Sequence, residues 1–128
     1  MATNAEPVVE QDRRAQPVVV KRPWGRFEQF CLNQPTTVKV ITIAPGQRLS
    51  LQRHQQREEL WQALDEGVQA TVDGCTWTMR RGETTWVPLG APHRLTNTGD
   101  SDVRVLELGF GHFDEEDIER LQDDYARG

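Results

Sequence analysis

Two of the chain's three histidines stand in segments whose neighbouring residues could help to bind a metal ion. Gln52 and His54 are two residues apart, so on a β-strand their side chains point to the same face of the sheet. Glu59 opens the next predicted strand and can return to the same place, and His93 begins a later strand. We therefore predict that Gln52, His54, Glu59 and His93 converge on one divalent ion.

This ligand set offers two imidazole nitrogens, one carboxylate and one amide oxygen. Such a mixture of nitrogen and oxygen suits zinc, manganese, iron, cobalt or nickel, and the order of metal affinities does not choose among them. Zinc is our first expectation, with one coordination position left open for water or substrate, as in catalytic sites.

Short β-like runs separated by turn signals should position these side chains. The runs are rich in Val, Thr, Ile and Trp, which suit a pleated, half-buried surface. They cover residues 18–21, 26–32, 37–43, 59–64, 68–72, 76–80, 85–87 and 103–108. Because no run alternates with a long helix, we predict an all-β fold of the jelly-roll or small-barrel type. Asp73-Gly74 predicts a tight hairpin turn between two of the runs.

The two ends of the chain differ from this pattern. Residues 1–16 are polar and lack periodicity, so we expect a disordered arm there and a single domain over residues 17–128. Asp114 could cap a short C-terminal helix in which Ile118, Leu121 and Tyr125 share one face.

The net charge of −5 is concentrated at the C-terminus. Residues 113–128 hold seven acids and two bases, which leaves the rest of the chain neutral. The sequence has no basic stripe of the kind that would indicate a nucleic-acid partner. It also has no apolar run long enough to span a membrane. The two cysteines lie outside any CxxC pattern, and no signal peptide is visible, so we expect a cytoplasmic protein with reduced thiols.

Both histidine segments match extended motifs. The spacing Gly46-x5-Gln52-x-His54-x4-Glu59 resembles the first motif of the cupin superfamily. The spacing Gly82-x5-Pro88-x-Gly90-x2-His93-x3-Asn97 is similar to the second. The resemblance implies a cupin, a double-stranded β-helix that binds one metal. Gln52 stands where many cupins have histidine, which disfavours the oxygenase type of site.

A closer resemblance, to type II mannose-6-phosphate isomerase, runs through nearly the whole predicted domain. Its four blocks are Arg22-Pro23-Trp24-Gly25-x-Phe27-Glu28, Leu49-Ser50-Leu51-Gln52-x-His54-x-x-Arg57-x-Glu59-x-Trp61, Val87-Pro88-x-Gly90-x-x-His93-Arg94-Leu95-x-Asn97 and Glu116-Asp117-Ile118-x-Arg120-x-x-Asp123-x-Tyr125-x-Arg127. In that family the cupin is often the C-terminal part of a bifunctional mannose-1-phosphate guanylyltransferase. The nucleotidyltransferase domain has no counterpart in these residues, so we expect no guanylyltransferase activity.

The resemblance implies interconversion of mannose 6-phosphate and fructose 6-phosphate through an enediol. This reaction needs a base, a Lewis acid and a cationic grip on the phosphate. Arg57 is the first candidate for the grip because it matches the family motif, and Arg94 and Lys39 are further candidates. Glu58 is our candidate for the base, and Trp61 could form a wall of the sugar site.

Other readings stay open. Many family members carry extra histidines where this chain has Gln55, Gln56 and Leu60, so the domain could instead bind metal and a sugar phosphate without turnover. An iron-dependent oxygenase is a third reading. Cupins commonly pair through edge strands, and residues 18–32 would leave such an edge exposed, so we expect a homodimer.

Overall fold

The computed structural model describes residues 17–125, so the disordered arm expected at residues 1–16 lies outside the described part of the chain. Within it, eleven β-strands follow one another and no α-helix occurs. The strands are β1 Val18–Arg22, β2 Gly25–Gln29, β3 Thr36–Ile43, β4 Leu51–Arg53, β5 Arg57–Ala63, β6 Val68–Val72, β7 Cys75–Thr78, β8 Thr84–Val87, β9 His93–Asn97, β10 Val103–Gly111 and β11 Glu119–Gln122. These residues include no helix that could cross a membrane.

The strands form a hairpin and two larger sheets, with every pairing antiparallel. β1 and β2 make a separate two-stranded sheet. The four-stranded sheet has the order β3-β10-β5-β8, and the five-stranded sheet has the order β11-β4-β9-β6-β7. From β3 onward the chain crosses repeatedly from one large sheet to the other, as in a jelly roll. The predicted all-β jelly-roll architecture is therefore confirmed.

A hydrophobic core fills the space between the two large sheets. Trp61, Val105 and Val87 contribute from the four-stranded sheet, while Ala70 and Leu95 contribute from the five-stranded sheet. Each of these side chains is at most 2% exposed. Because both sheets present apolar residues to the same interior, neither could stay folded in water without the other.

The interior changes character along β5. Consecutive strand residues face opposite sides, so Arg57, Glu59, Trp61 and Ala63 all point into the barrel. Ala63 and Trp61 belong to the hydrophobic core, whereas Glu59 and Arg57 are charged and still at most 8% exposed. Buried charges are costly unless they are paired or bind a ligand, so this end of the barrel is the candidate binding site.

Two rows of interior side chains cross the four-stranded sheet at that end. Lys39 on β3, Glu107 on β10 and Trp61 on β5 are successive cross-strand partners. In the next row, toward the end of the barrel that we call its mouth, Gly109 is the partner of Glu59. Because Gly109 carries no side chain, those of Arg57 and Phe113 can pack over it, where a Cβ would lie 3.5 Å from Cδ of Arg57 and 3.9 Å from Cδ2 of Phe113.

The turn between β6 and β7 follows its sequence signal. Val72 pairs with Cys75, so the loop consists of Asp73 and Gly74 alone. Both have positive φ angles, 52° and 86°, which is the conformation of a type I′ hairpin turn.

The predicted C-terminal helix is wrong. A carboxylate oxygen of Asp114 accepts a hydrogen bond from the amide of Glu116, and the amide of Asp117 bonds the carbonyl of Asp114, so the chain makes a turn. The segment then continues as β11 along the free edge of β4, where Glu119 forms an ion pair with Arg53 at 2.8 Å. Pairing with this open strand edge satisfies backbone groups that a short isolated helix would leave to water.

Candidate functional site

Three of the four predicted metal ligands meet inside the barrel. The Nε2 atom of His54 lies 3.4 Å from one carboxylate oxygen of Glu59, and Nε2 of His93 lies 3.5 Å from the other. One possible ligand atom from each residue falls within 4.8 Å of the others. All three residues are at most 2% exposed. The structure thus brings His54, Glu59 and His93 together from a loop and two strands that belong to different sheets.

Backbone carbonyls orient both imidazole rings. Nδ1 of His54 lies 2.7 Å from the carbonyl oxygen of Asp117, and Nδ1 of His93 lies 2.8 Å from that of Ala91. A carbonyl oxygen can only accept, so each Nδ1 carries the proton and each Nε2 is the unprotonated nitrogen, on the side of the ring that faces Glu59. This is the orientation in which histidines usually bind metals, with the second nitrogen held by a hydrogen-bond acceptor.

The surroundings keep both rings neutral. Burial lowers the pKa of His54, and the positive charge of Arg57 lowers it further. Burial, aided by the neighbouring His54, lowers the pKa of His93 to about 4. Neutral imidazole is the form that binds a metal.

The residues present fit a divalent ion. Oε1 of Glu59 and Nε2 of His93 are buried atoms that have no hydrogen-bond partner within the described chain. Buried polar atoms are normally satisfied, so this pair calls for a ligand. Two nitrogens and a carboxylate on a closed, water-poor interior match the catalytic type of zinc or related transition-metal site.

Gln52, the fourth predicted ligand, lies beside this cluster. It is the direct cross-strand partner of His93, so the two side chains share a face of the five-stranded sheet. Its Oε1 atom accepts a hydrogen bond of 2.8 Å from Ser50, a side chain that is 2% exposed. Metal ligation by Gln52 stays a prediction.

Arg57 borders the cluster and contacts two of its members. Its Nε donates to a carboxylate oxygen of Glu59 at 3.2 Å, and its Nη2 lies 3.2 Å from Nε2 of His54. A third nitrogen, Nη1, reaches the carbonyl of Asp114 at 3.4 Å. The guanidinium therefore supports Glu59 and places a fixed positive charge at the edge of the site.

Lys39 brings a second positive charge to the open side of the barrel, and Phe113 connects it with Arg57. The Lys39 Nζ atom lies 4.4 Å from the centre of the Phe113 ring, and the Arg57 Cζ atom lies 4.2 Å from the same centre. Aromatic rings attract cations through their quadrupole. Phe113 thus holds two positive charges near each other, and this arrangement favours the binding of an anion. No sequence pattern pointed to Phe113.

Glu107 is a further residue that sequence reasoning missed. It faces the interior between Lys39 and Trp61 and is a diagonal neighbour of Glu59. Burial raises the pKa of Glu107, and the negative charge of Glu59 raises it further. Its alternation with Val103 and Val105 in the predicted strand was the available signal, since it puts a carboxylate on the apolar face.

The other predicted site residues take different places. Glu58 lies on the opposite face of β5 from Glu59, so the structure does not bring it to the cluster. Arg94 lies on the face of β9 opposite to His93, where it donates to the carbonyl of Leu49 and to Gln122. Trp61 is 2% exposed, and its ring packs edge-on against His93 at 5.6 Å, so it forms the floor of the cluster.

The segment before β11 closes the site from outside. Asp117 accepts hydrogen bonds from the amides of Gln55 and Gln56 through its carboxylate, at 2.9 and 2.8 Å, while its carbonyl holds His54. Gly111 at the end of β10 allows a close approach to the same loop, since a Cβ there would lie 2.6 Å from the carbonyl oxygen of Gln56. The loop that carries His54 is therefore fixed from two sides.

Known proteins resemble this chain in sequence and in fold. The alginate biosynthesis protein AlgA of Pseudomonas aeruginosa is 38% identical over 109 residues, 84% of this chain and 23% of AlgA. Among solved structures, the cupin domain of Schizosaccharomyces pombe Cnp3 matches with a TM-score of 0.57 at 18% identity over 65% of this chain and 61% of that one. A putative sugar phosphate isomerase from Acidithiobacillus ferrooxidans matches with a TM-score of 0.55 at 22% identity over 60% of this chain and 51% of that one.

The chain spans about a quarter of the length of the curated relatives it matches. The sequence profile described as Mannose-6-phosphate isomerase C-terminal matches residues 9–123, which is nearly the entire chain. With its cupin fold, the chain belongs to the family of mannose-6-phosphate isomerase C-terminal domains.

Proposed function

We propose that this domain is a metal-dependent mannose-6-phosphate isomerase, which interconverts mannose 6-phosphate and fructose 6-phosphate for nucleotide-sugar and polysaccharide synthesis. The observation that carries the proposal is the buried set of His54, Glu59 and His93 with Arg57 bonded to two of its members. Membership in the isomerase family and the name of the alginate relative support the choice of substrate and pathway.

His54, Glu59 and His93 would hold the ion, with Gln52 as a fourth ligand and zinc as the first expectation. A bound divalent ion would supply a Lewis acid for the oxygens on C1 and C2 of the sugar. The burial of His54, Glu59 and His93 excludes most water from the site, and the lower dielectric constant strengthens electrostatic interactions at the reacting carbons.

We place the phosphate group at Lys39 and Arg57. Both cations contact the ring of Phe113, so their charges are held near the mouth before any ligand arrives. Preorganised cations favour a phosphate dianion over a neutral sugar, because no side chain has to be ordered when it binds. Phe113 acts here as a positioning residue.

We place the proton transfer at Glu107. The isomerisation of the aldose removes a proton from C2 and returns one to C1, while the hydroxyl hydrogen of O2 passes to O1, so nothing is oxidised overall. Glu107 faces the interior in the row between Lys39 and Trp61, which puts a carboxylate between the proposed phosphate grip and the floor of the site. Glu58, on the outer face of β5, has no comparable access.

The alternative is a domain that binds metal and sugar phosphate without turnover. It is supported by Gln55, Gln56 and Leu60, which stand where many members of the family carry extra histidines. Both functions use the same ligands, so only the chemical step separates them. For the compartment we propose the cytoplasm, in keeping with the free thiols of Cys31 and Cys75.

A coupled assay decides between the two. Mannose 6-phosphate is supplied to the full chain with added zinc, manganese or cobalt, and fructose 6-phosphate is measured. Turnover that is lost in His93→Ala and kept in His112→Ala, a change at an exposed histidine, supports the isomerase. Binding of mannose 6-phosphate without turnover in any metal would establish the binding domain, and neither binding nor turnover would reject both.

A further inference from the structure

The candidate metal cluster is closed to solvent. His54, Glu59 and His93 are each at most 2% exposed, so an ion or a sugar phosphate cannot reach them unless part of the enclosure moves. Strands of the two large sheets form most of that enclosure, and the same strands carry the hydrophobic core. A route to the site should therefore open where the enclosure is held by something other than core packing.

Residues 113–125 form such a part of the enclosure, and we call them the C-terminal strap. The strap passes the loop that carries His54 and continues as β11 along the edge of β4. None of its residues is buried, and none belongs to either hydrophobic cluster of the described chain. Leu121 and Tyr125 within it are 43% and 40% exposed. Apolar burial therefore contributes little to holding the strap in place.

Polar contacts hold the strap against the barrel instead. The backbone of β11 pairs with β4, and two exposed ion pairs join the side chains. Glu119 binds Arg53 at 2.8 Å, and the carboxylate of Asp124 binds Arg48, whose Nη2 lies at 2.9 Å. Exposed ion pairs contribute little individually, and dissolved salt screens them.

The charges of the two surfaces are complementary. The strap holds seven acids and a single base. The barrel surface that it contacts is rich in arginine, and the arginines bonded to the strap are Arg48, Arg53, Arg57 and Arg94. Because this attachment is largely electrostatic, it should weaken as the ionic strength rises.

The inner side of the strap contacts the site itself. The carbonyl of Asp117 accepts a hydrogen bond from His54, and the carbonyl of Asp114 accepts one from Arg57. The ring of Phe113 lies against Arg57 at 4.2 Å. Detachment of the strap would remove these contacts together and expose this side of the cluster. Its return would bring Phe113 back to the cations of the proposed phosphate site.

We propose that the C-terminal strap is a gate held closed by its ion pairs, and that its detachment from β4 admits a divalent ion and a sugar phosphate to the site. Both large sheets stay folded when it opens, because neither hydrophobic cluster includes the strap. Segments held by few apolar contacts open at a lower free energy than the whole fold, and such lids often control access to buried sites. The inference uses the buried cluster but not the turnover of mannose 6-phosphate, so its test is independent of the proposed function.

Modification of histidine by diethyl pyrocarbonate measures the opening in the metal-free full chain. Site-resolved mass spectrometry gives the rate at His54, and the exposed His112 corrects for effects of salt on the reagent. Between 20 mM and 0.5 M sodium chloride the Debye length falls from about 20 Å to about 4 Å, so we expect the corrected rate at His54 to rise about 10-fold. Amide hydrogen exchange in β5, which reports global unfolding, should stay slow at both salt concentrations.

Arg48→Gln combined with Arg53→Gln removes both ion pairs that hold the gate closed. At 20 mM salt this variant should be modified at His54 about 10-fold faster than the wild type, and its rate should change less than about threefold with salt. Arg104→Gln is the matched control and should behave as the wild type, since it breaks an exposed ion pair with Asp65 at the other end of β10. Zinc uptake by the metal-free chains, followed by stopped flow, should rank the three proteins in the same order.

A disulfide across the gate provides the reverse test. Arg53 and Glu119 are direct cross-strand partners, so Arg53→Cys with Glu119→Cys can join the strap to β4 in a chain that also carries Cys31→Ser and Cys75→Ser. Oxidation should slow the modification of His54 at least 10-fold, and reduction should reverse the effect. Equal rates in the oxidised and reduced forms would overturn the proposal. A wild-type rate at His54 that is independent of salt, or that equals the rate of global unfolding, would overturn it as well.

Discussion

The Nδ1 atom of His54 lies 2.7 Å from the carbonyl oxygen of Asp117, a residue 63 positions further along the chain. A metal-ligand candidate in the first half of the domain is thus oriented by the C-terminal segment. The carboxylate of the same Asp117 binds the amides of Gln55 and Gln56, so one residue controls both the ring and its loop.

Asp117→Ala keeps the backbone carbonyl but removes the carboxylate that binds the amides of Gln55 and Gln56, so it should lower the stability of the fold. The backbone hydrogen bonds from Gln55 and Gln56 lower the pKa of Asp117, so the ionised side chain favours the folded state. That contribution is complete above the unfolded value near 3.8 and is lost as the pH falls through the lower folded-state pKa.

Chemical denaturation at pH 6 and at progressively lower pH measures this effect. The difference in free energy of unfolding between wild type and Asp117→Ala should be largest at pH 6 and shrink below pH 3.8. Asp102→Ala, at an exposed loop position, serves as the control. A difference that grows toward acid pH would contradict the assignment.

Metal removal should destabilise the domain. A ligand that binds only the folded state stabilises it by about 2.7 kcal/mol at a free concentration one hundred times its dissociation constant. Thermal unfolding of the chelator-treated chain with and without added zinc measures this gain. His93→Ala should abolish the gain and His112→Ala should keep it. An equal gain in both variants would place the metal elsewhere.

The two glutamates proposed for the proton transfer can be compared directly. A positioned general base contributes roughly 10²–10⁴ in rate, so Glu107→Gln should lower kcat by about that factor. Glu58→Gln changes the outer face and should leave kcat within about twofold. Zinc binding by both variants shows that the metal site is intact. Loss of activity in Glu58→Gln alone would show that Glu58, not Glu107, is the general base.

Phe113 should matter for binding more than for turnover. Phe113→Leu keeps an apolar side chain but removes the ring face that Lys39 and Arg57 contact. Each cation–ring contact contributes about 0.5–1 kcal/mol at exposed sites, so KM for mannose 6-phosphate should rise about 10-fold with kcat little changed.

Phe113→Tyr restores the ring and should restore KM. Phe27→Leu removes another ring that an arginine contacts, on the hairpin, and should have no effect on KM. A fall in kcat without a change in KM would mean that Phe113 has a different role.

The sequence predicted the fold and the three residues of the candidate metal cluster because both follow from local patterns. Turn residues and alternating runs located the strands, and the two spaced motifs located His54, Glu59 and His93. Glu58 and Arg94 show what such patterns leave out. Each is adjacent in sequence to a ligand candidate, and for that reason each points to the opposite face of its strand.

Glu107 and β11 needed information that no single segment carries. The position of Glu107 depends on the register of β10 between β3 and β5. The C-terminal segment has some helical pattern, but the open edge of β4 pairs with it across more than sixty residues. Tertiary pairing of this kind overrides a weak local preference.

The alternation along β5 has a consequence for how this site tolerates change. Arg57, Glu59 and Trp61 face inward only while Glu58 and Leu60 face outward, and the outward Leu60 is fixed by its contacts with Leu108 and Phe110. A shift of β5 by one residue would turn the carboxylate out and the leucine in at the same moment. The packing of Leu60 in the outer apolar cluster therefore fixes which side chains of β5 face the site. An insertion or deletion in the loop before β5 can be tolerated only if Arg57, Glu59 and Trp61 still face inward.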